Sequence, residues 1–165
     1  MTRSEDLRAI EQLQRAYARL NDEAAWHQVA ELFTEDATFI RPSDRERPIV
    51  GRAAILQSFL ARSQGSDRQH LVANPEVELL DEHHARASCH SILLVRLGRR
   101  LGTVSMGGFM DRLTRTGDGW RFQSRAGFTF FDLVPYTTHE RPDNEACNNF
   151  RSVAPPGHTS PPSSK

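Results

Sequence analysis

His70 is the residue in this sequence best suited to move a proton. In "RQHLVANPEVEL", period-two alternation puts His70, Val72 and Asn74 on one face of a strand. A histidine by itself is usually a satisfied polar residue. A carboxylate bonded to one ring nitrogen changes that: it fixes the tautomer, stabilises the imidazolium and leaves the other nitrogen as a competent base. Asp22, in "LNDEAAWHQVAELFTEDATF", can supply that carboxylate from a helix end. It can equally cap the helix that starts at Trp26, where aspartate is favoured. The third group is Arg125, near the middle of the strand "GWRFQSRAGFTFFD". Arginine is rarely buried without a partner. Arg125 therefore reads as half of a structural ion pair, as a rim residue, or as a cation that stabilises a leaving group or an oxyanion.

The other candidates are weaker. Alternation groups His90 with Arg86, Ser88, Ile92 and Leu94, a mixed face that suits either a pocket or a subunit interface. His83 and His84 fall in a turn, and His27 lies on the polar side of its helix. No three of the seven histidines have zinc-ligand spacing. There is no Gly-rich phosphate loop and no GxSxG elbow, and Cys89 and Cys147 form no CxxC pair. The chemistry expected is acid–base work with no metal and no cofactor.

Three helices and a run of strands must position these groups. Ser4 can cap a first helix carrying Glu5 and Asp6 in its first turn. Leu7, Ile10, Leu13, Tyr17 and Leu20 form its apolar face, and it should end near Asn21-Asp22. Trp26, Val29, Leu32 and Phe33 mark a second helix stopping around 34–36, followed by a short strand over 37–40. Residues 41–47, charged and containing Pro42, read as a loop. A third helix over 52–62 turns Ile55, Leu56, Phe59 and Leu60 inward, with Gly65 just past its end. Strands follow at about 69–80, 85–97, 101–115 and 119–132. Their connections are a polar turn at 81–84 and tight hairpins at 97–100 and 116–119. Consecutive long strands predict antiparallel pairing, hence an α+β fold over 1–135 with a pocket between sheet and helices. From 136 to 165 the chain is polar and Pro/Ser-rich, the composition of a tail.

Bulk properties agree with one globular domain: 165 residues, 38% hydrophobic and 25% charged. Lys plus Arg (21) balances Asp plus Glu (21), so no nucleic acid and no anionic membrane is expected as partner. No apolar run reaches the roughly 20 residues that span a bilayer. The N-terminal "MTRSEDLRAIEQ" lacks the apolar stretch of a secretory signal, so a cytoplasmic setting is expected.

Taken in order, these residues resemble the SnoaL-like branch of the nuclear transport factor 2-like superfamily over about residues 4–135. "YARLNDEAAWHQVAELFTEDATF" is similar to its first two helices, "IVGRAAILQSFL" to its third, and "RQHLVANPEVEL" to its His-x-x-x-Asn strand. The scytalone dehydratase and hexachlorocyclohexane dehydrochlorinase members carry an Asp–His pair at the places of Asp22 and His70. "WRFQSR" matches the dehydrochlorinase's arginine at Arg125, and "APPG" at 154–157 is similar to its tail. The chain departs from the pattern at Tyr17, where the dehydrochlorinase has a lysine, and at Asn21, where scytalone dehydratase has a tyrosine. The resemblance implies a cone-shaped α+β barrel with a hydrophobic pocket, a tail over that pocket, and association through the sheet as a homotrimer or homodimer.

The expectation is a lyase, of dehydratase or dehydrohalogenase type, or an isomerase or cyclase, acting on a small hydrophobic molecule. His70 would take the proton and Asp22 would support it. Arg125, with Tyr17, would meet the departing group or oxyanion. Trp26, Phe33, Phe59, Asn74, His90 and Phe128 are candidate substrate contacts, the aromatics doubling as core. The rival readings are a non-catalytic module for a hydrophobic ligand and a structural small subunit of a ring-hydroxylating dioxygenase.

Overall fold

The computed structural model of the chain describes residues 2–62, 67–97 and 100–130. Three helices, α1 (Arg3–Asp22), α2 (Trp26–Glu31) and α3 (Arg52–Leu60), cover one face of a mixed sheet. Its six strands are β1 (Phe33–Arg41), β2 (Asp44–Val50), β3 (Asp67–Leu79), β4 (His84–Leu97), β5 (Arg100–Thr116) and β6 (Gly119–Thr129). They lie in the order β2-β1-β6-β5-β4-β3, a curved sheet that does not close. The α+β expectation holds, and the sheet is open rather than a sealed barrel. Among the described residues no helix is long and apolar enough to cross a membrane.

α1 starts two residues earlier than a Ser4 cap suggests. Thr2 is its cap: the Thr2 hydroxyl accepts from the Glu5 N–H at 3.3 Å, and the Glu5 carboxylate accepts from the Thr2 N–H at 2.6 Å. Ile10, Leu13, Tyr17 and Leu20 are buried as the helical period requires, while Leu7 is only half-buried. On α3, Ile55 and Phe59 are fully buried, but Leu60 is 43% exposed and does not face inward. Gly51 precedes α3 with φ of 91°, a conformation glycine adopts without penalty. The positions of Gly65, of the 97–100 turn residues Gly98 and Arg99, and of the tail lie outside the described residues.

Two elements differ from the sequence reading. The helical spacing through Phe33 ends at Glu31, and Phe33 opens β1 instead, because β1 pairs in parallel with β6 from Phe33 opposite Phe122. Phe33 is buried under either description. Residues 44–50 form a strand, not a loop. β2 is at an end of the sheet, where a proline with no N–H and a run of charges are tolerated. The remaining pairings, β3–β4, β4–β5 and β5–β6, are antiparallel as expected. The 116–119 hairpin closes with Thr116 opposite Gly119.

The core sits between the helices and the inner face of the sheet. Phe33, Phe39, Phe59 and Phe122 are at most 1% exposed. They ring Tyr17, with centroids 6.1 to 6.4 Å from it. Burial of each such side chain contributes about 1.5–3 kcal/mol. This aromatic cluster fixes α1 against the sheet, and with it the end of α1 that carries Asp22.

Candidate active site

α1 presents Asp22 as its last residue, and β3 brings His70 to it. The helix is stopped by Glu23 as C-cap and by Ala24 in the left-handed region (φ 54°), with the Ala25 N–H returning to the Leu20 carbonyl at 2.9 Å. Asp22 Oδ1 lies 2.5 Å from His70 Nδ1, and Oδ2 accepts the His70 backbone N–H at 2.8 Å. One carboxylate thus holds both the ring and the strand beneath it. Asp22 does not cap α2, whose N-cap is Ala25 with no side-chain hydrogen bond. An ionised carboxylate only accepts, so a neutral ring in this contact carries its proton on Nδ1 and leaves the Nε2 lone pair free. The two side chains are 15% (His70) and 11% (Asp22) exposed.

His70 borders a cleft of about 500 Å3. Tyr17, Phe39, Phe109 and Phe128 supply its aromatic wall, and Ser91, Ser105 and Gly107 its small residues. Arg41, Arg62 and Arg68 line it as well. Pro42, on the rim, lies so close over Gly127 that a Cβ there would fall 2.3 Å from its ring. On the other side of His70 a shallower groove of about 440 Å3 runs between α1 and β3, past Arg15, Arg19 and Asp22. Burial pushes the Tyr17 phenol above its ordinary value, with Arg125 and then Arg62 opposing. Tyr17 stays protonated and can donate a hydrogen bond.

Arg125 is elsewhere. It is fully buried in the core and does not line the cleft. Strict alternation separates it from Trp120 and Phe122, but a bulge in β6 puts all three on one face. Pairing steps from Arg112 opposite Ser124 to Leu113 opposite Phe122, which leaves Gln123 as the extra residue. Arg125 Nη1 donates to Asp111 Oδ2 at 2.8 Å, and Gln14 Nε2 donates to the same oxygen at 3.1 Å. The guanidinium lies 3.9 Å from the Phe109 centroid, 4.2 Å from Tyr17 and 4.4 Å from Phe122. Burial pushes the Asp111 carboxyl upward, and Arg125 and Gln14 oppose it. Of the three readings of Arg125, the structural ion pair is the one present, one layer behind the cleft wall formed by Tyr17 and Phe109.

Other candidates divide the same way. Trp26 and Phe59 stack at 5.6 Å in the core, and Phe33 packs on Phe39 and Phe122, so none of the three lines the cleft. Phe128 does. Asn74 leaves the face of His70 because β3 bulges between Ala73 and Glu76, with Asn74 itself at φ 49°. Its amide instead lies 3.0 Å from His90 Nδ1, on the outward face of the sheet. His90 alternates with the inward-facing Cys89, and its ring meets Phe130 edge-on at 5.4 Å. Neither residue belongs to the cleft. Arg41, Arg62 and Arg68 were absent from the sequence candidates; period two from His70 to Arg68 was the one available signal. Among the described residues no group of three or more acidic, histidine or cysteine side chains is placed to hold a metal ion.

The family model described as a SnoaL-like domain matches residues 2–126. No curated protein matches the chain. Among solved structures, an NTF2-like protein with a cystatin-like fold from Novosphingobium aromaticivorans is similar at 25% identity and TM-score 0.64, over 76% of this chain and 82% of that one. A candidate scytalone dehydratase from the same organism aligns at 21% identity and TM-score 0.66, over 79% and 87%. A protein from Catenulispora acidiphila in complex with S-DNPA aligns at 25% identity and TM-score 0.63, over 73% and 90%.

Proposed function

This chain belongs to the SnoaL-like domain family, within the NTF2-like superfamily, and from that premise we propose that it catalyses a base-initiated elimination or isomerisation of a small molecule. The observation that carries the reading is the Asp22 carboxylate, bonded to both His70 Nδ1 and the His70 backbone N–H at the wall of a cleft. His70 Nε2 takes a proton from the carbon next to an activating group. The C–H bonding pair forms the new double bond or moves along a conjugated system. Asp22 balances the charge left on the imidazolium. In elimination the departing oxygen or halide leaves with its bonding pair, and Tyr17, protonated and facing the cleft, donates a hydrogen bond to it. Arg125 contributes from behind, by holding Tyr17 and Phe109 in place. All of these steps run on the chain's own side chains.

The same reading extends to assembly. Leu71 and Met110 are 55% and 65% exposed and point outward on the sheet, the side that also carries His90. A second copy packing on that face gives a homodimer or homotrimer, which light scattering on the purified protein and on Met110→Asp reads directly.

Turnover tests the catalytic claim. Purified protein is assayed with β-hydroxy ketones and β-halo carbonyl compounds, alongside His70→Ala and Asp22→Asn. Loss of well over about tenfold in each folded variant supports the dyad. Binding without conversion would make the chain a ligand-binding module instead, and wild-type rates in both variants would remove His70 and Asp22 from the chemistry.

A further inference from the structure

The cleft beside His70 is more cationic than a site for an apolar molecule requires. The chain as a whole has a formal net charge of 0. Yet Arg41, Arg62 and Arg68 share this one cavity, and no Asp or Glu among the described residues lines it with them. Asp22, beside the cleft at His70, is engaged by the His70 ring and backbone. Arg41 Nη2 donates to the Ser58 carbonyl at 2.8 Å. Arg62 Nη1 donates to Asn21 Oδ1 at 3.2 Å, and its guanidinium sits 4.3 Å from the Phe59 centroid and 5.8 Å from Trp26. These contacts orient the two guanidiniums through neutral oxygens and ring faces. They do not neutralise either charge.

Burial pushes the Arg62 guanidinium below its ordinary value, and Arg41 and Arg68 push the same way while Tyr17 resists. Like charges gathered on a low-dielectric wall repel one another and raise the local potential for an anion. Guanidinium groups also present paired N–H donors that match a carboxylate. Tyr17, Phe39, Phe109 and Phe128 border the same cleft and offer apolar surface.

We infer that the cleft takes an aromatic carboxylate, its anionic end on Arg41 and Arg62 and its ring system along the aromatic residues toward His70. This deepens the catalytic reading by naming the class of substrate that would occupy the same site.

Calorimetric titration of the full chain with 2-naphthoate and with its neutral isostere 2-naphthamide tests it. Naphthoate should bind at least about tenfold more tightly at low ionic strength, the margin of a charge-assisted hydrogen bond over a neutral one. That margin should shrink as salt is added. Arg41→Gln should reduce naphthoate affinity by about threefold or more and weaken naphthamide by less. Arg62→Gln is read alongside a thermal melt, because Arg62 also packs on Trp26 and Phe59. His70→Ala should keep the preference for naphthoate, which separates anion binding from proton transfer. If that preference persists while the turnover assays fail, the anion site stands and the catalytic reading falls. Equal affinity for the two compounds, binding of neither, or a preference untouched by Arg41→Gln overturns the inference.

Discussion

Asp111–Arg125 and Asp22–His70 are both carboxylate–cation-type pairs that tie one element of this fold to another, and they differ mainly in what surrounds them. Asp111 and Arg125 meet at 2.8 Å with side chains 0% and 1% exposed, under Tyr17, Phe109 and Phe122. Asp22 and His70 meet at 2.5 Å, remain 11% and 15% exposed, and have the cleft on one side and a groove on the other. A pair sealed on all sides can only hold the fold. A pair with a cavity against one nitrogen can hand a proton to something that enters. Seat, rather than residue type, separates the structural pair from the one proposed to do chemistry.

The comparison breaks most visibly if the two pairs respond alike to mutation. His70→Ala should lower kcat/KM by about 10²–10⁴ while thermal unfolding stays near wild type. Asp111→Ala should do the reverse, losing about 3–5 kcal/mol of stability in urea titrations because Arg125 is left as an uncompensated buried charge. Replacing both, as Asp111→Leu with Arg125→Met, should recover most of that loss. Asp22→Asn keeps the shape of the dyad but not its charge, and should lower turnover by at least about tenfold, or roughly 1.4 kcal/mol of transition-state stabilisation.

A third contact sharpens the contrast at low pH. Arg115 first, and then the Trp120 indole N–H at 3.0 Å, hold the Asp6 carboxyl below its ordinary value of 3.8. A carboxyl depressed in the folded state adds stability above its unfolded value and loses it as pH falls through the folded one. The acid limb of a stability–pH profile should therefore steepen below about pH 4 and flatten in Asp6→Asn. The smallest effect is expected at the turn that ends α1. Ala24 holds φ of 54°, so Ala24→Gly should gain about 0.5–1 kcal/mol and leave turnover unchanged.

Much of this was legible in the residues. The apolar stripe of α1 and the long hairpins follow from spacing, because period and register act locally, and the Asp22–His70 pair was implied by the family resemblance. Two side-chain placements failed at bulges. An extra residue at Gln123 puts Arg125 on the core face, and the bulge at Asn74 takes that side chain away from His70. Alternation read along a strand cannot register a residue that one partner inserts. β2 was missed because Pro42 and the charges of residues 41–47 read as a loop, yet Pro42 lies in the turn before β2 and the charges are harmless at a sheet edge. The three cleft arginines were missed for a different reason. They come from the end of β1, the residue after α3's cap and the start of β3, and only the tertiary fold joins them.

Long-range proton–nitrogen NMR on the histidine rings tests the central pairing most directly. The account predicts that His70 carries its proton on Nδ1, far downfield in the short hydrogen bond to Asp22, and that Asp22→Asn abolishes that signal. A His70 ring protonated on Nε2 alone, with a spectrum indifferent to Asp22→Asn, would contradict it.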